Sequence, residues 1–244
     1  MPHPLQFRSV TFTALKPGPK LIVLGAVHGN EVSGSKAILK MIQEFEAGDR
    51  LLQNGQVTFV PITNPLAYNR KQRNGDRNLN RNLTPTDNPL DFEDHVANWL
   101  CPLLAAHDVL LDIHSFQKGD APFALFGPPN NNNGLESFKH EEAERGLALR
   151  LGVNRFVDGW LDTYAKGVAN RVANLKATGQ SGEGLNTDPR YGMGTTECMR
   201  SNGGYAVTLE CGQHEDPNGP AIAYAAIENT LVHLGLVDGA AVPA

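Results

Sequence analysis

The sequence predicts a three-layer α/β/α fold around a central mixed, largely parallel sheet. Two observations carry that expectation: apolar runs too continuous for half-exposed strands, and segments of helical spacing that alternate with them. The first run, Lys20-Leu21-Ile22-Val23-Leu24-Gly25-Ala26-Val27, reads as a central strand ending in a glycine turn. Residues 33–45 follow with Ala37, Ile38, Met41, Ile42 and Phe45 on one helical stripe, which makes a strand–turn–helix unit. Residues 57–62 read as the next strand. Residues 91–106 predict a helix that Pro102 kinks or divides. Residues 109–114 are another buried strand and 123–126 a shorter one, followed by a polar, turn-rich loop at 128–134. A helix is expected over 136–151. Residues 173–194 are glycine-rich and weakly periodic, and read as long loops near a site. A strand at 204–210 and a helix at 220–236 complete the series.

A length of 244 residues suits a single large α/β domain, and no repeat or linker divides it, so one domain spanning 1–244 is expected. The 41% hydrophobic and 19% charged content is that of a globular protein with a substantial core. A net charge of -5 gives no general attraction to nucleic acid or to an anionic membrane. No apolar run is long enough to span a bilayer, and Met1-Pro2-His3-Pro4 lacks the basic start of a secretion signal. Three scattered cysteines, Cys101, Cys198 and Cys211, form no C-x-x-C pair and suggest buried thiols in a reducing compartment. The expected location is cytoplasmic.

His28-Gly29-Asn30-Glu31 lies between the end of a buried strand and the start of a helix, where ligands gather in open α/β sheets. A histidine and a carboxylate three residues apart on a tight turn can converge on one cation; the plainer reading is that His28 and Asn30 cap the helix. His114 closes a second apolar strand. Two histidines and one carboxylate are the ligand types of catalytic zinc, which keeps a fourth position open. Asp112 precedes His114 by two residues, so both side chains share one face of the strand, and Asp112 either orients the imidazole or pairs elsewhere. Glu210 closes a third apolar strand, where a carboxylate is costly to bury without a partner. It reads as the group that takes the proton of an attacking water, or as one half of a salt bridge to an arginine.

Of 21 cationic residues, five fall between positions 70 and 81: Arg70, Lys71, Arg73, Arg77 and Arg81. A nucleic-acid patch is disfavoured by the acidic whole and by the scarcity of interleaved aromatics. A pocket for a carboxylate suits the forked guanidinium, while a solvated loop accounts for Arg70, Lys71 and Arg77.

Taken in order, Gly25-Ala26-Val27-His28-Gly29-Asn30-Glu31, Asn78-Leu79-Asn80-Arg81, Leu111-Asp112-Ile113-His114 and Thr208-Leu209-Glu210-Cys211-Gly212 resemble the succinylglutamate desuccinylase/aspartoacylase family, relatives of the zinc carboxypeptidases. The resemblance implies one zinc ion per chain on His28, Glu31 and His114, with Glu210 as general base. It implies that Asn80 and Arg81 hold the substrate carboxylate, that Arg73 polarises the scissile carbonyl, and that the fold is zinc carboxypeptidase-like. The expected activity is hydrolysis of an amide in an N-acyl amino acid or related small carboxylate-bearing molecule, without nucleic-acid or membrane partners. The alternatives are a metallocarboxypeptidase and an inactive metal-dependent binding module. Two departures stand out. The family motif commonly reads Asp-Leu-Asn-Arg, where this chain has Asn78. Only residues 211–244 follow Glu210, so the C-terminal β-rich domain of aspartoacylases is expected to be missing and the cleft more open.

Overall fold

The computed structural model describes residues 5–119, 121–132, 134–179, 187–240 and 243. Along the chain lie β1 (Val10–Thr13), β2 (Lys20–Leu24), α1 (Ser33–Ala47), β3 (Gln56–Val60), α2 (Pro65–Arg70), α3 (Phe92–Ala105), β4 (Val109–Phe116) and β5 (Phe123–Leu125). They are followed by α4 (Glu141–Ala148), β6 (Phe156–Val157), α5 (Trp160–Thr178), α6 (Thr195–Ser201), β7 (Tyr205–Gln213) and α7 (Gly219–His233). The strands form one sheet in the order β1-β3-β2-β4-β7-β5-β6. Its centre, β3-β2-β4-β7, is parallel, while β1 and β5 are added antiparallel at either side. The predicted mixed, largely parallel sheet is therefore present.

Strand alternation sorts the core into two layers. Leu21, Val23, Val57, Phe59, Val109, Leu111, Val207 and Leu209 face one way and pack with Ile38 and Met41 of α1 and Ile227 and Leu231 of α7. Ile22, Leu24, Leu110 and Ala206 face the other way, against Val96, Leu100 and Leu104 of α3 and Met199 of α6. Each fully buried aliphatic side chain of this size contributes roughly 2 kcal/mol, so the central strands are a rigid platform. Asp112, His114 and Glu210 share the parity of the second layer and emerge at the carboxyl end of their strands. Chain order reverses between β3 and β4 on the two sides of β2, and such a switch point opens a crevice at that end.

Local chemistry sets the helix ends. Gly48 closes α1 in the left-handed conformation (φ 79°), its N–H reaching back to the last-turn carbonyls of Glu44 and Phe45. Asp91 caps α3 by accepting from the Asp94 N–H at 2.9 Å. Pro102 does not divide α3 as expected: it lies on the exposed side, where water can satisfy the carbonyl that loses its partner. The helix expected over 136–151 is shortened to α4, because Phe138 bridges back to Asn131 and Glu136 turns towards Arg200. The expected loop over 173–194 is corrected in its first part, where residues 173–178 complete α5; residues 180–186 lie outside the described segments. Only Leu161 and Val168 of α5 are buried, so the helix leaves little apolar periodicity to read. Among the described residues no helix is long and apolar enough to cross a membrane.

Candidate metal centre and active site

After β2 the chain turns out of the sheet through Ala26, which adopts the left-handed conformation (φ 47°) although it carries a side chain. Gly29 then packs on the backbone of α2 so closely that a Cβ would lie 1.9 Å from the Ala67 carbonyl carbon and 2.2 Å from Tyr68 N. This clamp fixes His28 and Glu31 on either side of it. Gly29→Ala is expected to force the turn off α2, costing about 3 kcal/mol of stability as overpacked cores do. Denaturant unfolding together with bound-metal analysis checks this, and both stability and metal content should fall.

His28, Glu31 and His114 meet. Their ligand-type atoms all lie within 4.8 Å of one another, and each side chain is buried. Glu31 places Oε1 2.9 Å from His28 Nδ1 and Oε2 2.9 Å from His114 Nδ1, while the two Nδ1 atoms are 3.2 Å apart. The outer nitrogens are both engaged: His28 Nε2 is 3.0 Å from Asn78 Oδ1, and His114 Nε2 is 2.9 Å from Asp112 Oδ2. An imidazole that donates through Nε2 keeps the lone pair of Nδ1, and the two lone pairs converge on one point beside a carboxylate. That donor set fits a divalent cation of the zinc type. The cluster could hold a metal ion; helix capping does not account for it, since His28 and Asn30 precede a helix whose cap residue is Val32.

The electrostatics agree with a site built for positive charge. Burial pushes the His28 imidazole down against the pull of Glu31. At His114 burial acts in the same direction, but the carboxylates of Asp112 and Glu31 outweigh it and hold the ring well above its usual value. Glu31 is held well below the carboxylate range, because its histidine partners overcome the cost of burial. Thr195 at the start of α6 donates to Asp112 Oδ2 and, through its N–H, to Asn80 Oδ1 at 2.9 Å. Ser115 N–H adds a 3.1 Å bond to Glu31 Oε2.

Glu210 sits beside the cluster, in register with His114 across β4 and β7. Among the described residues no salt bridge takes up its Oε2, which is buried without a hydrogen-bond partner. Burial raises the Glu210 carboxyl to about 7, with the charges of His114 and Arg73 opposing the rise and Glu31 and Asp112 adding to it. A carboxyl poised near neutrality, facing a pocket with His28, Arg73 and Arg81, is suited to exchanging a proton there.

The basic segment separates into roles. Arg73 reaches the cluster, donating from Nη1 to Glu31 Oε1 at 2.8 Å. Arg81 lines the same pocket and lies over the rings of Trp160 (5.1 Å) and Tyr164 (4.6 Å), donating to the Tyr164 hydroxyl. Arg70 pairs with Asp76 at the surface and Lys71 is exposed. Arg77 is not a solvated loop residue: it joins Asp91 at 2.9 Å and Asp94 at 2.8 Å, tying the segment to α3. The amide oxygen of Asn78 braces His28 and accepts from Asn80 N–H at 2.9 Å. The Asn78 brace and the Trp160 wall were not foreseen, and the spacing of the sequence carries no signal for either of them. Cys211 is a fully buried thiol that burial pushes up to about 12, consistent with packing.

A second charged group adjoins the site. Arg200, at the end of α6, forks onto Glu144 through Nε (2.9 Å) and Nη2 (3.0 Å), and its Nη1 lies 3.5 Å from both Glu136 and Glu197. One guanidinium thus faces three carboxylates. Burial raises Glu136 to about 7, with Arg200 opposing the rise. Since the folded value exceeds the unfolded one, the fold favours protonated Glu136, and stability is lost as pH rises from about 4.5 to 7. The full loss for a shift of this size is about 3 kcal/mol. Glu136→Gln is expected to remove that share of the slope in denaturant titrations from pH 4 to 8; an unaltered slope contradicts the assignment.

Fold and site together define a zinc carboxypeptidase-like α/β scaffold with a metal-competent His–Glu–His cluster. Residues 17–126 match the model of the succinylglutamate desuccinylase/aspartoacylase catalytic domain. A probable aspartoacylase of Prochlorococcus marinus subsp. pastoris is 33% identical over 101 residues, which are 39% of this chain and 33% of the relative. The product-bound ectoine utilization protein EutE (DoeB) from Ruegeria pomeroyi superposes with a TM-score of 0.69 at 21% identity, covering 96% of this chain and 62% of the other. A succinylglutamate desuccinylase from Silicibacter sp. TM1040 gives 0.69 at 20%, with the same coverage. The chain thus spans a third of that curated relative and less than two thirds of these solved chains.

Proposed function

We propose that the chain is a deacylase, hydrolysing the amide bond of an N-acyl amino acid or related carboxylate-bearing amide with one zinc ion on His28, Glu31 and His114. The observation that carries this reading is the convergence of both imidazole Nδ1 atoms and Glu31 beside Glu210, whose buried Oε2 lacks a partner. Bound there, zinc supplies Lewis acidity, which polarises a carbonyl and makes water a better acid. The protein's own groups do the rest. Glu210 accepts the proton of the attacking water and returns it to the departing nitrogen. Arg73, whose Nη1 already reaches the cluster, stabilises negative charge developing on the carbonyl oxygen. Arg81 and Asn80 hold the substrate carboxylate, with Arg81 positioned by the Trp160 and Tyr164 rings. Asp112 and Asn78 keep the two imidazoles in the tautomer that presents Nδ1. The buried free thiols of Cys101, Cys198 and Cys211 suit a cytoplasmic setting.

The test strips metal with a chelator, restores one equivalent of zinc, and compares N-acetyl amino acids with short peptides. Zinc-dependent release of acetate is the expected result. Preference for peptides would point instead to carboxypeptidase activity, and zinc binding with no hydrolysis of either would point to a binding module.

A further inference from the structure

Beyond the cluster pocket, which measures about 70 Å³, lies a larger chamber of about 310 Å³. The two share Phe126, Trp160, Glu197 and Arg200 as lining residues, so the two spaces adjoin. The lining combines the apolar residues Leu135, Trp160 and Leu161 with the acids Glu136, Asp162 and Glu197 and the single cation Arg200. Carboxylates outnumber the cation there: Arg200 forks onto Glu144, which also accepts from the Ala206 N–H at 2.8 Å, and reaches Glu136 and Glu197 only at 3.5 Å. Glu197 is satisfied by the Gly194 N–H and the Thr196 hydroxyl. Among the described residues Glu136 is held only by Arg200, 3.5 Å from its Oε1; it is 7% exposed, and its buried Oε2 has no hydrogen-bond partner. A buried carboxylate with one unbonded oxygen, in the lining of a predominantly acidic chamber that also holds Trp160, suits a donor carrying positive charge.

We propose that this chamber is the side-chain subsite of the substrate, and that it takes a cationic group, a primary ammonium or guanidinium, between Glu136 and the Trp160 ring. The inference rests on the deacylase reading and names the substrate class within it: N-acyl amino acids with a basic side chain. An acidic side chain meets the uncompensated carboxylates and is repelled, and a neutral one leaves Glu136 Oε2 without a donor.

The experiment compares kcat/KM of the zinc-loaded protein for N-acetyl-lysine, N-acetyl-norleucine and N-acetyl-glutamate. The lysine derivative is expected to exceed norleucine by at least about tenfold, the scale of one charge-assisted hydrogen bond, and glutamate to rank last. Glu136→Gln should bring the lysine-to-norleucine ratio close to one. Equal use of lysine and norleucine, or a ratio unchanged by Glu136→Gln, overturns the subsite while leaving the deacylase reading intact. Failure to hydrolyse all three overturns the deacylase reading. In that case, or if Glu136→Gln does not fold, calorimetry on the unaltered protein decides the subsite. Lysine binding at least about tenfold more tightly than norleucine supports it, whereas equal binding or none overturns it.

Discussion

Glu210→Gln is expected to lower turnover by about a thousandfold while the protein keeps its fold and its metal, in line with the loss of a general acid–base group. The substitution preserves shape and removes only the capacity to exchange a proton. Its structural cost is small, because Oε2 of Glu210 already lacks a hydrogen-bond partner and burial has raised the carboxyl to about 7, so the neutral form is well populated at neutral pH. The sign of the accompanying stability change follows. A carboxyl whose folded value lies above its unfolded one destabilises the fold as pH rises from about 4.5 through 7. The metal-free glutamine variant is therefore expected to be at least as stable as the parent at pH 8. Turnover, metal stoichiometry and unfolding midpoints measured on one preparation separate the outcomes. Unchanged turnover with zinc present removes Glu210 from the mechanism.

His114→Ala is expected to have the second large effect, on both metal and fold. His114 stands between two buried carboxylates, 2.9 Å from Asp112 and 2.9 Å from Glu31, and their combined charge holds its ring well above the ordinary histidine value. Removing the ring takes away one metal donor and leaves Asp112 with Thr195 and Glu31 with His28, Arg73 and Ser115. Breaking a buried charged pair from one side costs about 3–5 kcal/mol. The metal-free variant should show that loss in denaturant unfolding, and dialysis against zinc should leave it without a stoichiometric ion. Retention of zinc at parental affinity contradicts the ligand assignment.

Much of this arrangement was legible in the sequence because strands buried on both faces are written as continuous apolar runs. The runs that become β2, β4 and β7 lead to His28, His114 and Glu210, and the two-residue period put Asp112 on the face of His114. What was not legible depends on encounters between distant segments. Asn78 braces a histidine 50 positions away, and Thr195 bonds an aspartate 83 positions away. No local pattern distinguishes such an asparagine or threonine from one in a loop. The α5 helix escaped for a different reason: with so few buried positions it has no clear stripe, yet its first turn supplies Trp160 and Tyr164 to the pocket wall. Arg200 and its three glutamates were hidden likewise, since they are drawn from α6, α4 and the segment before it.

The pairing of His114 with Glu210 on adjacent strands, set against a chamber walled largely by the segment from Phe126 to Glu136, divides the molecule's labour. Chemistry is inherited from the sheet, where sliding one strand by a single residue would turn Glu210 away from its neighbour. On the proposed reading, selectivity lies with connecting segments outside that lattice, so substitutions there are expected to change preference while the reacting groups stay where they are.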